Sequence, residues 1–96
     1  MTTMFVTYPG DASTRFDREY YVGTHLPLVR TAWEPYGLRS ATAFFPEGSV
    51  EGTVALAVCE FRDDAAVDAT LGSPQSDAVM ADIVDFTDST PARRRC

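Results

Sequence analysis

A single histidine, His25, is the only side chain of this 96-residue sequence whose ordinary pKa lies near neutral pH. The sequence has no lysine and no asparagine, which excludes a lysine Schiff base, a P-loop phosphate grip and a Cys-His-Asn triad. One histidine also excludes a multi-histidine metal site built by one subunit. If the protein performs acid–base chemistry near neutral pH with an unperturbed group, His25 is the only candidate.

Two tyrosines precede this histidine on the same predicted helix. Burial would lower the pKa of His25 and keep it neutral, as a general base requires, whereas a nearby carboxylate would raise it. Asp17 lies two turns away on the helix, but Asp82 could approach in space. A tyrosine hydroxyl beside the base could stabilise an enolate. Tyr20 and Tyr21 point about 100° apart, so only one can line a given pocket, and Tyr21 is the better candidate.

A structural interpretation of His25 stands beside the catalytic one: its ring could hydrogen-bond a carbonyl freed by Pro27. Arg30 and Arg39 could pair with a ligand carboxylate, although solvated roles suit them equally. Cys59 sits in an apolar run and is predicted to be a small buried residue rather than a catalytic thiol. Candidate ligand contacts are Tyr8, Phe5, Leu28, Phe45 and Asp82.

Hydrophobic periodicity and turn residues predict four strands and two helices. Asp17 is the expected N-cap of the first helix, in which Gly23 and Pro27 predict a kink near Thr24 and His25 because proline cannot donate to the carbonyl of Gly23. Trp33 falls off the centre of the inward arc and is expected at a surface or dimer contact. The inward arc comprises Tyr20, Tyr21, Thr24, His25, Leu28, Val29, Ala32 and Tyr36. The elements are strands at 2–8, 38–45, 52–61 and 83–87, a helix at 17–36, a turn at 46–49, and a second helix to about residue 81 that is interrupted at 72–73.

The order βαββαβ predicts an α+β, ferredoxin-like domain with a four-stranded antiparallel sheet over residues 1–88, followed by a C-terminal tail at 89–96. Both faces of the third strand are apolar, with Val54, Leu56 and Val58 on one and Ala55, Ala57, Cys59 and Phe61 on the other. Helices can cover only one face, so a second cover is needed. We expect a homodimer whose sheets pack face to face.

The net charge of −6 disfavours partners such as nucleic acid or an anionic membrane, and the arginines of 93–95 are expected in a solvated, frayed terminus. No apolar run is long enough to span a bilayer, and the N-terminus does not resemble a signal peptide, so a cytoplasmic location is expected.

One block carries a family resemblance: Phe16-Asp17, Tyr20-Tyr21, His25 and Pro27-Leu28, following a strand that ends in Tyr8-Pro9. Together with Ala81-Asp82, the run 85–88 and Pro91, it resembles the EthD (ethyl tert-butyl ether degradation) family of dimeric α+β barrels. The resemblance implies a ferredoxin-like subunit, a barrel dimer and a pocket for a small hydrophobic ligand between the first helix and the sheet. Members include an accessory protein of an ether-degrading cytochrome P450 system and fungal proteins that dehydrate or decarboxylate polyketides. Related barrels include cofactor-free monooxygenases, muconolactone isomerases and haem-degrading enzymes.

Three functions follow from this sequence. The first is a lyase, isomerase or oxidoreductase without cofactor, in which His25 abstracts a proton from a cyclic or polyketide-like compound. The second is a non-catalytic accessory or ligand-binding protein that supports a P450-type oxygenase. The third is haem binding through His25, which the acidic body disfavours.

Overall fold

The computed structural model describes residues 1–46 and 52–95. Four strands form one antiparallel sheet in the order β2-β3-β1-β4. They are β1 (Thr2–Gly10), β2 (Leu38–Phe44), β3 (Gly52–Phe61) and β4 (Ala92–Arg95). The predicted ferredoxin-like α+β arrangement is confirmed, while residues 47–49 of the predicted turn lie outside the described residues.

The first helical segment is continuous in space but changes its winding. Asp17 caps it as predicted, accepting a hydrogen bond from the backbone N–H of Tyr20. It consists of α1 (Arg18–Tyr20), a π-helical turn at Tyr21–His25, α2 (Leu26–Trp33) and a 3₁₀ turn at Glu34–Tyr36. The predicted interruption before Pro27 is therefore a π-helical turn. Across the part of the chain that is described, no helix is both long and apolar enough to cross a membrane.

The second helical region is split, as the turn residues indicate, into α3 (Asp64–Leu71) and α4 (Pro74–Asp82). The side chain of Asp63 caps α3 by accepting from the N–H of Ala66, and Ser73 caps α4 with Pro74 in the first turn. These caps satisfy N–H groups that would otherwise lack partners at the helix ends.

The position of the fourth strand was predicted wrongly. Ile83–Asp85 forms a 3₁₀ turn that continues α4, and the strand is Ala92–Arg95, which was expected to be a frayed tail. The alternation at 83–87 misleads because Phe86 is completely buried and its carbonyl accepts from the N–H of Asp17. The arginine-rich segment pairs with the free edge of β1, and Arg95 pairs with Asp68 on α3.

The two faces of the sheet differ in what covers them. The inner face, which carries Met4, Val6 and Tyr8 of β1, is buried beneath the helices. The outer face carries Phe5, Leu56, Val58 and Phe44, of which Phe44 is 50% exposed and the other three are half-buried. This face has no cover within the described part of the subunit.

Candidate functional site

A cavity of about 240 Å³ lies between the helices and the inner face of the sheet. A cavity of about 150 Å³ is sufficient for benzene, so this one can hold a larger ring system. Its wall is mainly apolar, with polar groups from two tyrosines, one histidine, one threonine and one arginine. The lining residues are Val6, Tyr8, Tyr21, His25, Leu26, Val29, Trp33, Ala57, Cys59, Val79, Met80, Ile83, Thr90, Pro91 and Arg93.

His25 lines this wall and is paired with Asp82, which was predicted as a ligand contact but does not itself line the cavity. The Nδ1 atom of His25 lies 2.9 Å from Oδ2 of Asp82, an approach that the sequence left open. Burial lowers the pKa of His25 below its ordinary value of 6.5, and the Asp82 carboxylate offsets this only in part. The imidazole is therefore neutral at pH 7, with the Nδ1 proton donated to Asp82 and the lone pair on Nε2. The structural alternative, a hydrogen bond to a carbonyl freed by Pro27, is not what the ring makes.

Tyr20 hydrogen-bonds the same Asp82 carboxylate and does not contribute to the cavity wall. Its hydroxyl donates to Oδ1 of Asp82 at 2.7 Å, and this bond is the main reason that the pKa of Tyr20 rises to about 12. Partial burial would raise the pKa of Asp82, but hydrogen bonds from Tyr20 and His25 outweigh it and hold the pKa below its usual range. Tyr20 thus keeps Asp82 ionised and does not line the cavity.

The π-helical turn explains how Tyr21 and His25 both reach the cavity. The N–H of Leu26 donates to the carbonyl of Tyr21, which is the i→i+5 bond of a π-helix. Pro27 has no N–H to continue a regular helix at this point. Tyr21 and His25 are therefore buried together, whereas Thr24, which helical periodicity placed on the inward arc, is exposed.

The two tyrosines that line the cavity are neutral donors over the whole physiological range. Burial raises the pKa of Tyr8 to about 12, although interaction with the Tyr21 hydroxyl lowers it somewhat. Burial is also the main cause that raises the pKa of Tyr21 well above its ordinary value. Because these hydroxyls keep their protons, they can donate to a ligand oxygen that becomes negatively charged.

An aromatic cluster fixes these side chains. Phe86 lies at its centre, with its ring centroid 4.6 Å from that of His25 and 5.0 Å from that of Tyr21. Phe16 packs on Tyr8 and on Phe86 at centroid distances of 5.3 Å. The sequence placed Phe86 in a predicted strand and in the family block, and its place in the cluster depends on the tertiary fold.

Trp33 forms another part of the wall, and the expectation that it lies at a surface or dimer contact is wrong. It is 3% exposed, and its Nε1 donates to Oγ of Ser76 at 3.0 Å. Ser76 in turn donates to the carbonyl of Thr70 at 2.8 Å. The 3₁₀ turn after Trp33 and the packing of α4 on α2 provide this burial, and regular helical periodicity does not predict either.

Several predicted contacts do not line the cavity. Phe5 lies on the outer face of the sheet, because adjacent residues of a strand alternate between faces. Leu28 is half-buried against the core, and Phe45 packs against Phe16 and Tyr21 at centroid distances of 5.9 and 6.1 Å. The two arginines considered for a ligand carboxylate are elsewhere: Arg30 donates to the carbonyl of Ala41, and Arg39 is exposed.

Sequence reasoning missed much of the wall. Leu26, Val79 and Met80 have the apolar character that could have indicated an inward face. Arg93 gave no such signal, because a run of three arginines near a chain end usually indicates solvent. Its position in β4 opposite Val6 turns it towards the inner face.

The described residues hold no cluster of three or more histidine, cysteine, aspartate or glutamate side chains that could bind a metal ion. Cys59 is buried, and burial raises the pKa of its thiol to about 11. It therefore contributes apolar wall, as predicted, and not a thiolate.

These features define a small α+β domain with a ligand-sized cavity. By sequence, the chain matches no protein-family model and no curated protein. By structure, it is similar to an EthD-like protein from Ralstonia eutropha JMP134, with 21% identity, a TM-score of 0.83, and coverage of 99% of this chain and 88% of that one. An ethyl tert-butyl ether degradation (EthD) family protein from Bacillus halodurans C-125 matches with 20% identity and a TM-score of 0.70, over 98% of this chain and 96% of that one.

A dimeric ferredoxin-like protein of unknown function from Thermobifida fusca YX also matches, with 10% identity and a TM-score of 0.64 over 99% of this chain and 88% of that one. The chain therefore has the ferredoxin-like fold of the EthD-like proteins, as the residue block indicated.

Proposed function

We propose that the chain is an EthD-like small-molecule enzyme that works without metal or organic cofactor and uses His25 to abstract a proton from a cyclic or polyketide-like compound. One observation carries this proposal: His25 lines a cavity whose other lining residues are mainly apolar, and its Nδ1 is paired with Asp82, which is not part of the lining. Nδ1 is held by Asp82, and within residues 1–46 and 52–95 this is the one hydrogen bond that the ring of His25 makes, so Nε2 is unpaired there. The free lone pair is what a general base needs.

The surrounding residues support the same chemistry. Asp82 stabilises the imidazolium that forms when His25 takes a proton, and Tyr20 orients Asp82. The Tyr8 and Tyr21 hydroxyls are suited to donate to the oxygen of the resulting enolate. This first step is common to isomerisation, dehydration, decarboxylation and the oxygenation of an enolate or phenolate.

The first experiment measures proton abstraction directly, whatever reaction follows it. A bicyclic ketone such as 1-tetralone is incubated with the protein in D₂O, and deuterium incorporation beside the carbonyl is followed by NMR. Wild-type protein should accelerate exchange, and H25Q should lose at least about 100-fold of this acceleration. T24A is the matched control, because Thr24 neighbours His25 but is exposed. Equal exchange by wild type and H25Q would contradict a catalytic role for His25.

A non-catalytic accessory or ligand-binding protein for a P450-type oxygenase is the second candidate. The mainly apolar wall favours it, because such a wall retains a hydrophobic ligand whether or not His25 reacts. If 1-tetralone binds to the protein but its isotope exchange is not accelerated, this second candidate is supported over the enzyme.

The proposal includes a homodimer formed through the outer face of the sheet. The apolar side chains of this face, Phe5, Leu56, Val58 and Phe44, need a cover that the described part of the subunit does not supply. The similarity to a protein described as dimeric supports the same arrangement. A cytoplasmic location suits such an assembly and remains part of the proposal.

A further inference from the structure

The exposure of the lining residues indicates where the cavity borders solvent. Most lining residues are buried, whereas Met80, Ile83 and Pro91 are half-buried and Thr90 and Arg93 are exposed. The opening is therefore bordered by the end of α4 and by the segment that leads into β4. A ligand in the cavity would have one end near Arg93.

Arg93 is the permanently charged side chain of this lining. Its register opposite Val6 places it on the inner face of the sheet, as the lining of the cavity also shows. Among residues 1–46 and 52–95, no carboxylate lies within 4.0 Å of its guanidinium. Within the described ranges, Arg93 is therefore a cation without an acidic partner at the entrance of an apolar cavity.

The neighbouring arginines differ from Arg93 in their surroundings. Arg95 pairs with Asp64 and Asp68 on α3, and these contacts account for its position. Arg94 alternates to the outer face, opposite Phe5. The three consecutive arginines thus have three different environments, and only Arg93 lines the cavity.

We propose that Arg93 binds the carboxylate of the ligand, so that the preferred ligands are ring-bearing organic acids whose apolar body fills the cavity and whose anionic end lies at its mouth. A guanidinium matches a carboxylate with two parallel N–H donors, and the apolar wall excludes a ligand that is charged throughout. This inference rests on the proposed function for its cavity, and it specifies the class of substrate.

The test compares two probes of nearly equal shape at pH 8, 2-naphthoate and its neutral amide, 2-naphthamide. Their affinities are measured by NMR titration of wild type, R93Q and R94Q. Wild type should bind the acid about tenfold more tightly than the amide. R93Q should lose this preference while its affinity for the amide stays the same. R94Q, which changes the same charge on the opposite face, should behave as wild type.

Three results would overturn the inference: equal affinity of wild type for the two probes, an acid preference that survives in R93Q, or loss of the preference in R94Q. No binding of either probe at millimolar concentration would also overturn it, because bicyclic acids would then not be ligands. Failure here is distinguishable from failure of the proposed chemistry. A preference for the acid without isotope exchange would support the role of Arg93 and refute His25 as the base. Isotope exchange without a preference for the acid would support the base and refute the role of Arg93.

Discussion

The imidazole of His25 lies nearly parallel to the phenol ring of Tyr21, with ring centroids 5.3 Å apart and an interplanar angle of 21°. The two residues are the first and last of the π-helical turn, so this winding brings them together on the cavity wall. The stack restricts the imidazole from one face, while Phe86 contacts it from another direction and Asp82 holds Nδ1. The orientation of the candidate base is thus determined by contacts from three parts of the chain.

Tyr21 has two proposed roles: its ring packs beside His25, and its hydroxyl donates to the ligand oxygen. Removal of the hydroxyl should separate these roles. Y21F keeps the aromatic ring beside His25 but lacks the donor, so ketone exchange should fall about 100-fold with little change in melting temperature. The exchange assay and a thermal melt check this. Y36F is the control, because the Tyr36 hydroxyl bonds the exposed Gln75 outside the cavity. Unchanged exchange in Y21F would show that this hydroxyl does not stabilise the transition state.

The exchange rate should depend on pH through His25. Because burial lowers the pKa of His25 in the folded protein, its neutral form persists below pH 6.5, and the rate should rise with pH through a midpoint below 6.5. Asp82 raises the pKa of His25, so D82N should move this midpoint to lower pH and reduce the plateau at least tenfold. A pH–rate profile from 4 to 9 gives both values, using about six points per unit near the midpoint.

D77N provides the control for this profile, since Asp77 lies on the same helix but is exposed. A midpoint that moves upward in D82N would contradict the assigned direction of the interaction between His25 and Asp82.

The proposed dimer can be tested with two substitutions of equally exposed apolar residues. Phe44 and Val22 are each 50% exposed, but Phe44 lies on the outer face of the sheet and Val22 lies on the first helical segment. F44D should convert the dimer to a monomer at micromolar concentration, because it would bury an unpaired charge in the interface. V22D should not. Light scattering coupled to size exclusion measures both, and a monomeric wild type would refute the dimer.

Two glycines should respond oppositely to alanine. Gly23 has open space around the position of a Cβ atom, and its φ is not positive, so G23A should stabilise the protein by about 0.5–1 kcal/mol. Gly37 has a φ of 112°, and an added Cβ would lie 2.7 Å from Cβ of Ala66. G37A should therefore cost at least about 1 kcal/mol. Urea denaturation measures both free energies of unfolding, and equal values would contradict the local geometry.

Local patterns predicted much of this structure because they depend on neighbours in sequence. The cap at Asp17, the strand β1 and the interruption before Pro27 all follow from such short-range rules. The sequence left open that Asp82 could approach His25, and the tertiary fold brings the two side chains together.

The remaining errors come from interactions between distant parts of the chain. The segment at 83–87 alternates like a strand. Residues 83–85 form a 3₁₀ turn instead, because Phe86 is buried and its carbonyl accepts a hydrogen bond from the N–H of Asp17. Arg93 could not be placed at the cavity because its position depends on pairing between β4 and β1, and Trp33 could not be placed in the wall without knowing where Ser76 lies.

The pairing of β4 with β1 has a consequence for the order of folding. Met4 pairs with Arg95, so this ladder joins strands that are far apart in the sequence, whereas β2 and β3 are joined through a short connection. The loop entropy of such a distant contact is compensated only after the intervening elements have folded. We therefore expect the mouth of the cavity, including Arg93, to form late in folding, and β4 should be the first strand to lose protection in hydrogen exchange.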